Sequence, residues 1–297
     1  MKNSKIKRIL FYRETSGIGD VAMMMRSIEL TRLKHPTAII DVACNYIDLI
    51  YKHPALDGYL DVKEYALIDL TKSYDILINQ SSPCAAYEVK HQPLIAKNRI
   101  EIFCDNASEV LQQHGYEGIQ WDGLPQTLWV TSVDMQWAKN LVKNAGEGKI
   151  PLGFFWRCAE PWRDWPGMFH LMALLALEKH LALFCFDNNQ KAPVEGVHQM
   201  VGYSLNKVSA LVSCMRLIVS VDTAGIHLAG GLKVPILAIF GPTDPKIRLE
   251  SYYRAHWMPI CCRDHPCWYK PCKNLSCFKR IKAKQVYEKI MRIIYET

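Results

Sequence analysis

The chain has 297 residues, of which 49% are hydrophobic and 22% charged, as in a globular protein of two compact domains or one large one. This balance excludes a disordered, collagen-like or coiled-coil chain, and no apolar stretch approaches the about 18 residues of a membrane-spanning helix. The net charge of +7 suits anionic partners such as phosphates, acidic glycans or an anionic membrane surface, although an ordinary solvated basic surface would give the same value.

Short apolar runs alternate with helical patterns in the first half of the chain. The predicted strands are 6–12, 38–43, 75–79 and 99–103, and the predicted helices are 21–34 and 47–52. Residues 115–131 hold Gly, Pro and Trp and are predicted to be irregular. A helix over 134–144 then leads into residues 145–149, which are predicted to be an inter-domain linker.

The same alternation restarts after the linker. The predicted strands are 151–156, 181–187, 217–221 and 235–240, and the predicted helices are 167–180, 207–215, a short one within 222–232 and a closing helix over 283–295. Continuous apolar strands separated by helices indicate parallel sheets covered on both faces. The sequence therefore predicts an α/β protein of two Rossmann-like domains, residues 1–148 and 149–297, with parallel sheets facing a central cleft.

A glycine-containing motif, Ser-Gly-Ile-Gly-Asp-Val-Ala, follows the first predicted strand. Gly17 and Gly19 allow a tight turn and bring backbone N–H groups close to an anion. Their spacing to Ala22, with Asp41 about 20 residues later, loosely matches the dinucleotide-binding fingerprint. Asp20 has two interpretations, an N-terminal helix cap or a carboxylate that takes a proton from a hydroxyl nucleophile.

A second strand–turn–helix motif begins at Ser220. Thr223 offers a hydroxyl, and the N–H groups of the turn suit a diphosphate. Asp222 either caps the helix or holds a ribose. His227 either points to the same anion or is a buried structural residue.

A third motif is the loop over residues 158–166, which follows a predicted strand and leads into a helix. Arg163 in this loop can make bidentate contacts to phosphate oxygens. Trp162 and Trp165 can anchor the loop.

In order and spacing these motifs resemble glycosyltransferase family 9, the heptosyltransferase group of bacterial lipopolysaccharide assembly. The matching residues are Gly19-Asp20-Val21, His35-Pro36, Arg163-x-Trp165-Pro166 (where the family usually has Lys first), Asp222-Thr223 with His227, Pro235, and Phe240-Gly241-Pro242-Thr243-Asp244.

The resemblance implies a GT-B fold with an acceptor-binding N-terminal half and a nucleotide-sugar-binding C-terminal half. It also implies inverting transfer without a metal or other cofactor, from a nucleotide diphosphate sugar such as ADP-heptose to a glycan or glycolipid hydroxyl. Asp20 would be the general base and Arg163 would pair with the donor diphosphate. The other implied donor-binding residues are Gly19, Asp222, Thr223, Gly225 and His227.

Three departures from the family pattern concern the donor. Ala224 stands where the family commonly has Gly, and Cys158-Ala159 replace the usual hydroxyl residues. Asn188-Asn189 replace a Gly-rich turn with a Glu that holds the nucleoside. These changes leave the base and the sugar of the donor open.

Five cysteines cluster near the C-terminal end: Cys261, Cys262, Cys267, Cys272 and Cys277. Pro266 and Pro271 exclude a long helix there. A zinc or iron–sulfur site on Cys262, Cys267, Cys272 and Cys277 is one interpretation. Reduced thiols in a surface loop are favoured, because the paired C-x2-C spacing of zinc knuckles is missing.

Two other functions stay open at this stage. An NAD(P)-dependent oxidoreductase would use the Gly17–Ala22 motif but would leave the second motif unexplained. A non-catalytic module could bind nucleotide sugars, or nucleic acid through the basic cysteine-rich end, but Asp20 argues against a pure binder and nucleic acid is not the expected partner.

The basic N-terminus is followed by an apolar run over only 9–12, which is too short for a signal peptide. We therefore expect a cytoplasmic protein, with peripheral contact to the inner face of the membrane.

Overall fold

The computed structural model describes residues 7–15, 17–65, 67–187, 194–268, 272 and 275–296, with only the backbone described for Ile68. The chain divides into two compact units, Met1–Trp129 and Val130–Thr297. None of the described helices is long and apolar enough to cross a membrane.

The first unit contains a four-stranded parallel sheet in the order β3-β2-β1-β4. Its strands are β1 (Arg8–Arg13), β2 (Ile39–Cys44), β3 (Gly58–Asp61) and β4 (Ile76–Asn79). Its helices are α1 (Ile18–Lys34), α2 (Ile47–Ile50), α3 (Leu67–Ser73), α4 (Pro83–His91) and α5 (Arg99–Gln113). The inner strand β1 is buried from its second residue onward, which explains its continuous apolar run.

The second unit contains a six-stranded parallel sheet in the order β10-β9-β8-β5-β6-β7. Its strands are β5 (Ile150–Phe155), β6 (Leu181–Phe186), β7 (Val197–Met200), β8 (Leu217–Val221), β9 (Ile236–Ile239) and β10 (Ala255–Trp257). Its helices are α6 (Ser132–Ala145), α7 (Met168–Ala176), α8 (Leu205–Ser213), α9 (Ala224–Gly231), α10 (Pro245–Leu249), α11 (Ser276–Lys279) and α12 (Ala283–Tyr295). The apolar face of α12 packs into the core beside α7.

Both sheets are parallel, which confirms the predicted α/β class with two parallel-sheet units. The inner strands β5, β6 and β8 are almost entirely apolar, with Ser220 in β8 as the polar exception, as expected where helices cover both faces of a sheet.

The predicted strand at 99–103 is wrong, because these residues form the start of α5. The side chain of Asn98 caps this helix by accepting a hydrogen bond from the Ile100 N–H at 2.9 Å. The apolar residues recur at helical spacing and form one buried face: Ile100, Phe103, Cys104, Ala107 and Leu111. A five-residue window was too short to separate this periodicity from a strand.

The division between the units lies earlier than the predicted boundary at 148/149. Helix α6 belongs to the second unit, where it packs on α8 and where Asn206 donates to Asp134 at 3.1 Å. Residues 145–149 therefore include the turn from α6 into β5. Helix α1 begins at Ile18, earlier than predicted, and α7 ends at Ala176, before the predicted end at 180.

Candidate active site

Asp20 lies in the first turn of α1, directly after β1. The N-cap position is held by Gly17, whose φ of 135° falls in the region that favours glycine. The cap interpretation of Asp20 is therefore wrong, although a carboxylate in the first turn still interacts favourably with the helix dipole. Gly19 is buried within the same turn, and its implied donor-binding role stays a prediction.

Two arginines hold the carboxylate of Asp20. Arg13 Nη2 donates to Oδ2 at 2.8 Å, and Arg99 Nη1 donates to Oδ1 at 2.8 Å. Arg13 is almost completely buried and also donates to the backbone carbonyls of Gln80 and Ser81, directly after β4. The carboxylate, 16% exposed, is thus fixed at the carboxyl ends of two neighbouring strands.

Arg99 also pairs with a second carboxylate. Glu88, on α4, is buried and accepts two hydrogen bonds from Arg99, from Nε and Nη2, each at 2.7 Å. Sequence reasoning assigned no role in the site to Arg13, Glu88 or Arg99. The position of Arg13 at the end of β1, just before the motif, was the one signal available.

Asp41, the residue that would bind the ribose in the dinucleotide-binding interpretation, is engaged elsewhere. Asp41 lies inside β2 and accepts hydrogen bonds from Tyr74 Oη at 2.7 Å and from Arg8 Nη2 at 3.4 Å. Burial, together with the hydrogen bond to Asp41, raises the pKa of Tyr74. Asp41 therefore has a structural role between neighbouring elements of the first unit.

Two of the predicted motifs and the family-matching segment 240–244 meet in the second unit. Arg163 ends a short 3-10 turn, Pro161–Arg163, that follows β5, and its Nη1 donates to Oδ2 of Asp222 at 3.1 Å. Asp222 follows β8, and it also accepts from Oγ1 of Thr243, which follows β9, at 2.5 Å. The strands β5, β8 and β9 are neighbours, so their carboxyl ends meet at one edge of the sheet, where such folds bind ligands.

Asp222 is almost completely buried, at 3% exposed. Burial alone would raise its pKa, but the charges of Arg163 and Arg248 and the hydrogen bond from Thr243 hold the pKa below its ordinary value. Glu160 also pairs with Arg163, through Nη2. Arg163 Nε is buried and has no hydrogen-bond partner among the residues that the structure describes.

The start of α9 contains the remaining predicted donor-binding residues. Thr223 is the N-cap and is partly exposed. Gly225 packs so tightly on Phe155 that an added Cβ would lie 2.3 Å from the ring. His227 is buried and shares a 2.7 Å hydrogen bond between its Nδ1 and Oη of Tyr252. Gly225 and His227 are thus packed beside the site, Thr223 is partly exposed, and the donor-binding roles of all three stay predictions.

Two of the three departures from the family pattern fall within the described residues. Cys158 lies beside the ion pair of Arg163 and Glu160, with its Sγ 3.1 Å from Oε2 of Glu160. Burial raises the pKa of the Cys158 thiol to about 12. Asn188 and Asn189 lie outside the described residues.

All eleven cysteines fall within the described residues and are free thiols. In that part of the chain, no group of three or more His, Cys, Asp or Glu side chains is arranged to hold a metal ion. Burial, and then the neighbouring thiols, raise the pKa of Cys267 and of Cys277, which favours the protonated form.

The cysteine-rich loop packs against the segment that follows β9. The backbone N–H of Trp268 donates to the Pro242 carbonyl at 2.8 Å, and Nε2 of His265 lies 3.1 Å from the Thr243 carbonyl. The guanidinium of Arg248 stacks 5.3 Å from the Trp268 ring. The loop therefore contacts the segment that supplies Thr243.

Comparisons with known proteins identify the family and the fold of the chain. The model of glycosyltransferase family 9 (heptosyltransferase) matches residues 126–281. No curated protein matches the chain significantly.

Several solved structures are similar over nearly their whole length. A glycosyl transferase family 9 protein from Veillonella parvula has a TM-score of 0.74 at 17% identity, covering 98% of both chains. The E. coli ADP-heptose lps heptosyltransferase II has a TM-score of 0.70 at 16% identity, covering 97% of this chain and 99% of that one. The E. coli heptosyltransferase WaaC with ADP has a TM-score of 0.62 at 17% identity, covering 96% and 99%.

At these identities the structural likeness establishes the fold, which is GT-B. The family model adds the sequence match, over more than half of the 297 residues and including Arg163, Asp222 and Thr243. The chain therefore belongs to glycosyltransferase family 9, the heptosyltransferase family.

Proposed function

We propose that this protein transfers a sugar from a nucleotide diphosphate donor to a hydroxyl of a glycan or glycolipid acceptor. The observation that carries the proposal is the meeting of Arg163, Asp222 and Thr243 at the carboxyl edge of the second sheet. ADP-heptose is the first donor to test, because two of the similar structures are an ADP-heptose enzyme and a heptosyltransferase with ADP.

The second unit would bind the donor and stabilise its leaving group. The N-terminal end of α9 at Thr223 presents backbone N–H groups, which favour a diphosphate. Arg163 supplies a cation whose Nη2 is shared with the partly exposed Glu160, so a diphosphate can compete for that nitrogen. Negative charge grows on the diphosphate as the glycosidic bond breaks, and these groups would stabilise it without a metal ion.

In the first unit, Asp20 would act as the general base. It accepts the proton of the acceptor hydroxyl as that oxygen attacks the anomeric carbon, and the nucleoside diphosphate leaves from the opposite face. A single displacement of this kind inverts the anomeric configuration. Arg13 and Arg99 fix both carboxylate oxygens in place for the proton transfer.

We also propose a cytoplasmic location with peripheral contact to an anionic membrane, where a glycolipid acceptor would lie. The supporting feature is the surface around the end of α4, where Val89 is 76% and Leu94 83% exposed beside the exposed Lys90. Co-sedimentation with vesicles tests this: binding to anionic but not to zwitterionic vesicles is expected, and the double variant Val89→Ser/Leu94→Ser should weaken it. Equal binding to both vesicle types, or to neither, contradicts the proposal.

Thermal-shift measurements with ADP-, UDP- and GDP-sugars and with NAD(P) test the donor, followed by a transfer assay with the ligand that stabilises most. We expect stabilisation by a nucleotide diphosphate sugar and release of the nucleoside diphosphate. Stabilisation by NAD(P) alone would indicate the oxidoreductase. Tight donor binding without transfer or donor hydrolysis would indicate a non-catalytic binding module.

A further inference from the structure

Four charged side chains of the first unit form one continuous chain of hydrogen bonds. Glu88 holds Arg99 through two bonds, Arg99 holds Asp20, and Asp20 is held from its other side by Arg13. These residues come from α4, α5, α1 and β1, so the chain joins four elements at one point.

Glu88 is the most deeply buried of the four residues. It is 1% exposed, and a carboxylate this deeply buried is retained only where a cation compensates its charge. The two parallel hydrogen bonds from Arg99 use one edge of the planar guanidinium and leave Nη1 directed at Asp20. The orientation of Arg99 is therefore set by Glu88.

The charges also balance. Two guanidinium groups face Asp20, and without Glu88 the group would carry one net positive charge beside the proposed base. Glu88 offsets one of the two cations, so that the arginines orient the Asp20 carboxylate without leaving an excess positive charge beside it.

We propose that Glu88 is a positioning residue for sugar transfer: through Arg99 it fixes the carboxylate of Asp20 in the orientation that accepts the acceptor's proton. This inference rests on the proposed function of Asp20. Glu88 itself touches neither substrate nor reacting atoms in this proposal, and it acts on Asp20 through Arg99.

A double-mutant cycle tests the proposal. Glu88→Gln should lower kcat by roughly 10- to 100-fold, the loss typical of a misplaced reacting group, while the KM for the donor stays within about twofold. In the Asp20→Asn background, where no base remains to be oriented, Glu88→Gln should lower kcat no further. An equal loss in both backgrounds, or no loss in either, overturns the proposal, because a merely structural effect does not depend on Asp20.

Glu29→Gln is the matched control. Glu29 is also a buried glutamate of the first unit that pairs with an arginine, since Nη1 of Arg26 donates to its Oε2 at 2.7 Å. It also accepts a hydrogen bond from the Thr127 N–H. This variant should lower the melting temperature and leave kcat unchanged. Arg99→Lys keeps the charge but loses the planar fork, so it should reproduce the kcat loss of Glu88→Gln.

Crystal structures give a readout that does not depend on turnover. In Glu88→Gln the 2.8 Å contact between Arg99 Nη1 and Asp20 Oδ1 should be lost, and an unchanged contact overturns the proposal. If instead Asp20→Asn retains the wild-type kcat, the base role in the proposed function is the part that has failed. The two failures are thus distinguishable.

Discussion

Replacing Asp20 by Asn separates the chemistry of this residue from its place in the fold. An amide keeps the size of the side chain but cannot take the proton of an acceptor hydroxyl. Positioned general bases typically contribute about 10²–10⁴-fold, so turnover should fall by that factor. Donor affinity should stay the same, because the residues proposed to carry it, including Arg163 and Thr223, belong to the second unit.

The structure also sets the cost in stability. Asn can accept a hydrogen bond from one of the two arginines through its oxygen, while its NH2 group faces the other arginine donor. One hydrogen bond to a charged group is therefore lost, worth about 1.5–3 kcal/mol. For a chain of this size the melting temperature should fall by roughly 3–12 °C, well short of unfolding at the assay temperature.

The assay is sugar transfer, or donor hydrolysis while the acceptor is unidentified, measured together with a melting curve and calorimetric titration of the donor. Asp122→Asn is the matched control, because Asp122 also pairs with an arginine of the first unit, Arg26. It should lower stability and leave turnover unchanged. Turnover of Asp20→Asn within a few-fold of wild type would refute the base role.

Three further predictions concern the second unit. Arg163→Ala should weaken ADP binding by about 1.5–3 kcal/mol in isothermal titration, and Thr223→Ala should weaken it less. An unchanged affinity of Arg163→Ala would show that the diphosphate binds at a different place. Folding lowers the pKa of Asp222, so the stability that this carboxylate contributes is complete above the unfolded pKa of about 3.9 and is lost as the pH falls below that value. In urea unfolding between pH 7 and pH 3, the free energy of unfolding should therefore fall more steeply for wild type than for Asp222→Asn. Parallel pH dependences of the two proteins would contradict the ion pair. If four of the clustered cysteines hold a metal, elemental analysis should find near-stoichiometric zinc or iron, and replacing Cys267 and Cys272 by Ser should release it. A folded protein without metal would support the interpretation of a loop of reduced thiols.

Local pattern determined much of the fold. Strand β8 and helix α12 have the predicted bounds, because a continuous apolar run and a strongly amphipathic repeat are properties of neighbouring residues alone. The strand–turn–helix motifs around Asp20 and Asp222 likewise identified the family and the carboxyl ends of two strands. The short edge strand β7, by contrast, contains the polar residues His198 and Gln199, and its pattern carries no such signal.

The tertiary structure alone decided which charges meet. Arg99 is 79 residues from Asp20 in sequence, and Asp222 is 59 residues from Arg163, so no spacing rule pairs them. The strand orders place β4 beside β1 and β8 between β5 and β9, and this brings the segments after those strands together. Because the energy of an ion pair depends on distance and burial in space, the partners of Asp20 and Asp222 followed from the sheet topology, whereas their location at strand ends was already present in the sequence.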